Sequence, residues 1–277
     1  MPRPIFAAKS WMVFSVCCFI PLGLLGLTSD LVQAAGSDEI QVYTDDINDP
    51  GQIGLEVHAN YIVDGDPKPA YTGDIPSDHL LRITPEFSYG LTEAYEAGLY
   101  LPMSLDRDSN FCLDGAKIRL KFIPSLGDDP YFGGVNWELG CVAKRLEESR
   151  WNMELRPILG FRQSPWLISF NPILGWALSG DEGSGWPTLE PALKVQFDIA
   201  SGIGIGFEYY ANLGRLDHIQ PLHEEEHTIY AAVDLKKGLL DLNLGLGYGL
   251  TESVDKWTVK LIASIPIPSW NPSAAIQ

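Results

Sequence analysis

Residues 151–162 read Trp151-Asn152-Met153-Glu154-Leu155-Arg156-Pro157-Ile158-Leu159-Gly160-Phe161-Arg162. The odd positions are all apolar, and the even positions are mostly polar or charged. Successive side chains of a β-strand point to opposite faces of the sheet, so this segment has one apolar face and one polar face. The same alternation recurs from about residue 52 to residue 268, which predicts an all-β chain.

Twelve segments carry this alternation, and most of them are 10 to 13 residues long. A tilted strand needs about 9–11 residues to cross the hydrocarbon layer of a membrane. We therefore predict a transmembrane, antiparallel, up-and-down β-barrel of about 12 strands. The predicted strands are 52–64, 79–91, 95–105, 114–124, 131–143, 150–162, 166–178, 187–199, 202–214, 227–236, 239–250 and 256–267.

The connections between these strands alternate in length. The odd-numbered ones are mostly long, as at 65–78 and 215–226, whereas the even-numbered ones are short, as at 163–165 and 200–201; the tight connection at 144–149 is the exception. Outer-membrane barrels place long loops outside the cell and short turns in the periplasm. We therefore expect both termini in the periplasm of a Gram-negative bacterium.

The N-terminal residues have the pattern of an export signal. Arg3 and Lys9 precede an apolar stretch at 11–27, and Val32-Gln33-Ala34 then offers small residues at the positions that a signal peptidase reads. This pattern predicts a signal peptide over 1–35, cleaved after Ala34 or Ala35. A membrane anchor is the alternative, although the stretch is short for a spanning helix. We expect an acidic periplasmic lead-in at 36–51, which either binds calcium or caps or enters the barrel, then the barrel at 52–268 and a tail at 269–277.

The formal net charge is −17, so phosphate repulsion excludes nucleic acid as a partner. The partners expected are outer-membrane lipid and lipopolysaccharide, the barrel-assembly machinery and a small polar solute. No cofactor is expected. A soluble β-sandwich is the alternative fold, but its solvent face is typically rich in Ser, Thr and Lys, whereas glycine and charges of both signs dominate this one. Aromatic residues near the strand ends favour the membrane, namely Tyr95, Tyr131, Trp151, Trp166, Trp176 and Trp257.

Three groups of segments resemble a known family. They are 39–43 with Gly54 and 58–61; 154–160 with 170–174; and 189–194 with 208–210. Together they resemble exported, uncharacterised proteobacterial outer-membrane β-barrels that are loosely related to a family named after a phenol-degradation pathway. The resemblance implies an outer-membrane location and a role in transport, and it brings no catalytic residue.

The polar face of the predicted strands defines the expected lumen. The lumen-lining candidates are Glu56, His58, Arg82, Glu86, Lys117, Arg119, Lys121, Glu138, Glu154, Arg156, Glu190, Lys194 and Glu208. Lys117, Arg119 and Lys121 form a basic ladder next to Glu96 and Glu138. Opposite charges in a narrow interior either line a path for small polar solutes or form a salt-bridged core that closes the barrel. The mixed signs predict neither cation nor anion preference.

Other motifs point away from enzyme chemistry. Residues 223–227 match the letters of the zinc-protease motif H-E-x-x-H, but that site requires a helix, and Pro221 and the strand predicted from 227 favour an acidic loop. The glycine runs at 202–206 and 245–249 precede no helix, so they are not nucleotide loops. His58 is the single inward histidine, and a lone histidine is more often a polar contact than a catalyst. We therefore expect no catalytic residue and no metal site.

Two features remain open at this stage. Cys112 and Cys141 either form a disulfide or remain separate thiols, and hairpin geometry places Cys141 opposite about residue 115. Pro157 and Pro172 are expected to be cross-strand neighbours, where a bulge or kink is predicted because proline lacks a ladder donor.

The sequence thus predicts a narrow passive channel or transporter for small polar solutes. The first alternative is a closed structural barrel without flux. The second is a membrane-embedded, lipid-modifying enzyme that depends on His58.

Overall fold

The computed structural model describes residues 38–267, apart from 128, 181, 182 and 184. The predicted signal peptide and C-terminal tail lie outside the described residues. The strands are β1 Ile53–Asp64, β2 Leu81–Gly90, β3 Tyr95–Tyr100, β4 Met103–Leu105, β5 Phe111–Leu113, β6 Gly115–Phe122, β7 Tyr131–Val142, β8 Trp151–Gln163, β9 Trp166–Ala177, β10 Thr188–Ala200, β11 Ile203–Asn212, β12 Gly214–Arg215, β13 His218–Ile219, β14 Glu226–Lys237, β15 Leu240–Gly249 and β16 Trp257–Ile267.

The sheet closes on itself, because β1 pairs antiparallel with both β2 and β16. Around the wall, each long strand pairs with the next one along the chain, and all the pairs are antiparallel. β3 and β4 together occupy one wall position, as do β5 and β6, so the barrel has twelve wall strands. The predicted fold is confirmed. In the part of the chain described here, no helix is both long and apolar enough to cross a membrane.

Two predicted strands are interrupted, and one small hairpin was not predicted. The break between β3 and β4 falls at Leu101 and Pro102, where proline supplies no ladder donor. The carbonyl of Pro102 instead accepts a bond from the Asp114 amide, at the break between β5 and β6. β12 and β13 pair inside the long connection between β11 and β14, which the sequence analysis treated as a loop.

The two faces of the wall differ as the alternation predicts. Outward side chains such as Ile118, Leu159 and Leu246 are about half exposed and apolar. Pairs of outward aromatic rings lie near the strand ends, including Tyr95 with Phe122, Tyr131 with Phe161, Trp166 with Phe197 and Tyr248 with Trp257. The opposite face encloses a lumen whose buried side chains are mainly charged or polar.

Three prolines lie side by side on β8, β9 and β10. Pro172 is directly opposite Pro191, and the unbroken numbering of the β8–β9 register also places it opposite Pro157. The β8–β9 ladder lacks pairs from Arg156 to Ile158, yet the register before and after this gap is the same. The bulge of the predicted bulge or kink is therefore absent, because the missing proline donors open a gap without adding a residue.

The two cysteines of the barrel are free thiols. Cys141 of β7 is opposite Ala116 of β6, one residue from the predicted position, whereas Cys112 of β5 is opposite Ser104 of β4. The open alternative is thus resolved in favour of separate thiols.

Candidate functional site in the barrel lumen

Residues 38–48, which we call the plug, run through the lumen before the chain enters β1. At one end, the Asp38 carboxylate is 3.0 Å from Nζ of Lys117, in the half of the barrel that carries the long connections. At the other end, the Asn48 amide donates to Glu96 at 2.7 Å, close to a short turn. The chain then turns at Gly51, whose amide donates to the Gly90 carbonyl at 2.8 Å. The plug therefore extends along the lumen from the long-connection half towards the short-turn end.

Apolar side chains of the plug dock on apolar side chains of the wall. Val42 packs against Ile173 and Ala192, with Tyr210 beside them. Tyr43 packs in a second cluster with Ile123, Ile158, Ile47 and Phe132. Ile158 and Ile173 are almost completely buried, and they lie at the proline gap between β8 and β9. The wall is thus apolar inward where the plug needs an apolar partner, which stabilises the plug by removing this surface from water.

The backbone and hydroxyl of Tyr43 are held from both sides of the lumen. Its amide donates to Oδ1 of Asn171 at 2.6 Å, and its carbonyl accepts from Ser169 at 2.5 Å and from Asn171 at 3.1 Å. Its hydroxyl is 2.5 Å from that of Tyr100 and donates to Glu138 at 3.4 Å. These contacts join β9 to β3 and β7 through a single plug residue, so Tyr43 fixes the plug across the lumen.

Three wall cations surround the Tyr43 ring. The guanidinium carbon of Arg156 lies 4.4 Å from the ring centroid, Nζ of Lys121 lies 4.8 Å away, and the guanidinium of Arg119 lies 5.9 Å away. Arg156 also donates to Glu154 at 2.7 Å and to the Gln41 carbonyl at 3.0 Å. Cation–π attraction of this kind strengthens when the groups are removed from water.

The acidic residues of the plug face the basic side of the wall. Asp38 pairs with Lys117, which is also 3.2 Å from Glu147. Arg162 donates from Nε to Asp45 at 2.9 Å and contacts Asp46 at 3.4 Å. Lys117 of the basic ladder and Arg162 of β8 thus each pair with acids of the lead-in, whereas Arg119 pairs with acids of the wall.

Two further ion-pair networks join wall strands directly. Arg119 donates to Glu86 and to Glu96, each at 2.6 Å. On the other side of the lumen, Glu208 contacts Lys260 and is 3.4 Å from Lys194, which in turn is 2.7 Å from Asp234. These networks link side chains of different wall strands. Removing one partner of such a pair would leave an uncompensated buried charge and destabilise the barrel.

His58 is completely buried between two carboxylates of neighbouring strands. Its Nε2 is 3.1 Å from Glu56 and 3.8 Å from Glu86. Ligand atoms of these three residues lie within 4.8 Å of one another, so the trio has the donor set of a divalent-metal site. Gln41 and Arg119 already donate to the two carboxylates. Nε2 of His58 is within ion-pair distance of both carboxylates, but neither ring nitrogen has a hydrogen-bond partner in the described chain.

The thirteen candidate lumen residues are all buried or half-buried on the inner side of the wall. Eleven are buried, and Glu56 and Glu154 are half-buried. Most of them belong to the networks above, but Arg82 and Glu190 do not. Arg82 makes one long hydrogen bond, from Nη2 to the Arg145 carbonyl at 3.5 Å, and Glu190 accepts from Thr188 at 2.5 Å. Neither has an oppositely charged side chain within 4.0 Å among the described residues.

Two cavities lie at opposite ends of the plug. A cavity of about 330 Å³ opens at the short-turn end, and plug residues 41–48 line part of it. A cavity of about 580 Å³, which we call the vestibule, lies at the long-connection end, where Ile40, Arg82, Glu190 and Asp255 are among its lining residues. The two cavities share no lining residue, so the plug divides the lumen.

Sequence reasoning did not single out Tyr43 or the apolar dock. One sequence feature could have revealed them, a break in the apolar–polar alternation. Ile158 and Ile173 are large apolar residues at positions that face the lumen. The H-E-x-x-H letters do not form a metal site in the described residues: His223 is mostly exposed in a turn, whereas His227 lies in β14 and contacts Tyr209 at 2.6 Å. No helix brings the two imidazoles together.

Comparison with known proteins identifies the architecture. The sequence matches no protein-family model, and no curated protein matches it. Among solved structures, an outer-membrane channel from Pseudomonas putida F1 is similar at 14% identity and a TM-score of 0.58, covering 83% of this chain and 100% of that one. The NanC porin is similar at 11% identity and a TM-score of 0.52, covering 77% of this chain and 100% of that one. The KdgM porin is similar at 7% identity and a TM-score of 0.52, covering 76% and 98%.

Identities this low establish a shared fold and nothing finer. The fold is that of outer-membrane β-barrels, and the three structures named are channels or porins by description. The sequence resemblance to the phenol-degradation family stays a prediction.

Proposed function

We propose that the protein is an outer-membrane channel of narrow bore that passes small polar solutes and performs no chemistry on them. Its short-turn end, with both termini of the barrel, faces the periplasm, and its long connections face outward. The partners proposed are outer-membrane lipid and lipopolysaccharide around the wall, the barrel-assembly machinery during insertion, and a polar solute inside. The proposal also includes an N-terminal signal peptide that is cleaved during export.

The outer surface supports the membrane location. A closed barrel leaves no strand edge unpaired, which lipid requires because it offers no hydrogen bonds to the backbone. The outward residues are apolar along the wall and aromatic near the strand ends, as in barrels of the outer membrane.

One observation supports the proposal of a channel: a charged lumen that holds a cavity on each side of the plug. The plug is not a wall strand. Its backbone hydrogen-bonds to side chains of the wall, as at Gln41, Tyr43 and Asn48, and within the described residues its covalent link to the wall is at β1. Its displacement would join the two cavities into one path lined by charged groups, which is the lining that small polar solutes require. We infer that flux depends on this displacement.

A closed structural barrel without flux is the second candidate. The observation that favours it is the number of wall strands that hold the plug, which include β3, β7, β8 and β9 around Tyr43 and Gln41. The lipid-modifying enzyme has no comparable support among the described residues, because His58 faces the lumen and is fully buried rather than near the lipid-facing surface.

Single-channel recording in a planar bilayer separates the two candidates. The full-length protein is compared with a variant lacking residues 39–47, and both are first checked for barrel formation by the gel shift between boiled and unboiled samples. A channel gives discrete openings in the full-length protein and larger, longer openings in the deletion variant. If the folded deletion variant gives no opening above the bare bilayer, the proposal of a channel fails and the closed barrel replaces it.

A further inference from the structure

The vestibule contains a buried cation, Arg82, and a buried acid, Glu190, neither of which has an oppositely charged side chain within 4.0 Å in the described chain. Arg82 is 2% exposed, and its Nε and Nη1 have no hydrogen-bond acceptor among the described residues. The guanidinium group carries its charge permanently, and an unpaired buried charge is costly. Elsewhere in this lumen, buried arginines are paired with carboxylates, as Arg119 and Arg156 are. Arg82 therefore has the environment of an anion subsite.

Glu190 presents the complementary case on the opposite wall. It is 6% exposed and accepts a hydrogen bond from the hydroxyl of Thr188, and no lysine or arginine lies within 4.0 Å of it in the described chain. β2, which carries Arg82, and β10, which carries Glu190, are six wall positions apart in a barrel of twelve. The two side chains thus approach the same cavity from opposite sides.

The rest of the vestibule selects against ligands with a net negative charge. Besides Arg82, its basic lining residues are Lys68 and Lys256, whereas seven lining residues are acidic, namely Asp64, Asp66, Asp74, Glu190, Glu226, Glu252 and Asp255. A simple anion that binds Arg82 must enter this acidic surface and be repelled by it. A ligand that carries its own ammonium group avoids the repulsion and gives Glu190 an oppositely charged group.

We propose that the vestibule binds small zwitterions of the amino-acid type, with the carboxylate on Arg82 and the ammonium group on the Glu190 side. The inference names a solute class for the proposed channel and to that extent rests on that function. Its specificity comes from two charge-assisted contacts on opposite walls, so a ligand that lacks either charge leaves one buried group unpaired.

Isothermal titration of the full-length protein in detergent tests this proposal with three probes of equal size. They are 4-aminobutanoate, which carries both charges, pentanoate, which lacks the ammonium group, and 4-aminobutanamide, which lacks the carboxylate. We expect 4-aminobutanoate to bind at least about tenfold more tightly than either of the others, since each lost charge-assisted contact has that effect on affinity. Equal binding of the three probes, or no binding of 4-aminobutanoate, would overturn the proposal.

Variants on the two walls provide independent evidence. In Arg82→Gln, we expect 4-aminobutanoate and 4-aminobutanamide to bind with similar affinity. In Glu190→Gln, we expect 4-aminobutanoate and pentanoate to bind with similar affinity. Lys237→Gln, which alters an exposed lysine outside the vestibule lining, is the matched control and keeps the full preference. Unchanged selectivity in folded Arg82→Gln refutes the subsite, and if that variant does not fold, Glu190→Gln decides alone. Titration measures binding and not flux, so the two proposals fail separately. A barrel that conducts ions but binds the three probes equally refutes this inference only. A barrel that prefers 4-aminobutanoate but never conducts refutes the channel only.

Discussion

The lumen has buried arginines both around the plug and in the vestibule, but among the described residues only those around the plug are paired with carboxylates. Around the plug, Arg119 and Arg156 each have carboxylate partners, and both also approach the Tyr43 ring. In the vestibule, Arg82 and Glu190 are equally buried but have no partner of opposite charge within 4.0 Å in the described chain. Lys121 and Glu138 beside the plug also lack an oppositely charged side chain within 4.0 Å in the described chain, but both contact the Tyr43 side chain. The contrast therefore holds for the arginines: the plug region has them paired, and the vestibule offers Arg82 to the proposed ligand.

The largest expected effect follows from fixing the plug in place. Val42 packs against Ala192, so the double substitution Val42→Cys with Ala192→Cys, in a background of Cys112→Ser and Cys141→Ser, links the plug to β10. If solute passes only when the plug leaves, oxidation should abolish single-channel openings and reduction should restore them. Each single-cysteine variant serves as the control. Openings that persist in the oxidised double variant, with the disulfide verified by mass spectrometry, would show that the path does not involve the plug.

The next effect concerns the paired region. Arg156→Gln removes the ion pair with Glu154, the bond to the Gln41 carbonyl and the contact with the Tyr43 ring. Because the variant leaves the half-buried Glu154 and the buried Glu39 without this cation, we expect a loss of about 3–5 kcal/mol in the free energy of unfolding. Urea titration of the unboiled gel band measures it. Lys237→Gln, at an exposed position of β14, should leave the midpoint unchanged. A loss as small as that of the control would contradict the structural role of this network.

The sequence predicts the wall well but the contents of the lumen poorly. Alternation with a period of two is local, and it predicted the strands and the two faces of the wall without tertiary information. Partner choice depends on how neighbouring and distant strands are staggered. The basic ladder, for example, was placed beside Glu96 and Glu138, but Arg119 reaches Glu86 as well as Glu96, and Glu138 contacts Asn136 and Tyr43.

The plug itself has no periodic pattern to reveal it. Its dock is visible only as apolar residues at inward positions, Ile158 and Ile173, next to prolines that open the β8–β9 ladder. Each of these looks like a small lapse of the strand pattern when it is considered alone. Their common cause is a segment more than 100 residues away in sequence, as in the bond between Tyr43 and Asn171.

A smaller effect is expected for the hydroxyl that spans the lumen. Tyr43→Phe removes the contacts with the hydroxyl of Tyr100 and with Glu138 but keeps the ring beneath its cations. Losing a buried hydrogen bond while leaving its partner unsatisfied costs about 1–3 kcal/mol. The urea midpoint should therefore fall between those of wild type and Arg156→Gln, and channel openings should become more frequent. Tyr95→Phe, at a lipid-facing ring, is the matched control. If the two tyrosine variants behave alike, the hydroxyl of Tyr43 does not hold the plug.

The smallest expected effect concerns Asp255 in the vestibule. Its carboxylate accepts a hydrogen bond from the Ser77 hydroxyl and so links two of the long connections. Burial raises the pKa of Asp255, an effect that the Ser77 hydroxyl and the Asp66 backbone offset only in part. A raised folded-state pKa means that the folded protein binds the proton more tightly than the unfolded chain. The resulting stability is fully present below the ordinary aspartate pKa of about 3.9 and is lost as the pH rises through the raised value. Asp255→Asn keeps the shape and removes the titration, so its urea midpoint should decline less than that of wild type between about pH 4 and pH 7. Asp106→Asn is the control, because hydrogen bonds from Asn110 lower the pKa of Asp106, so the pH dependence it contributes has the opposite sign. A wild-type decline that Asp255→Asn leaves intact would place the responsible acid elsewhere and would leave the vestibule loops uncoupled from pH.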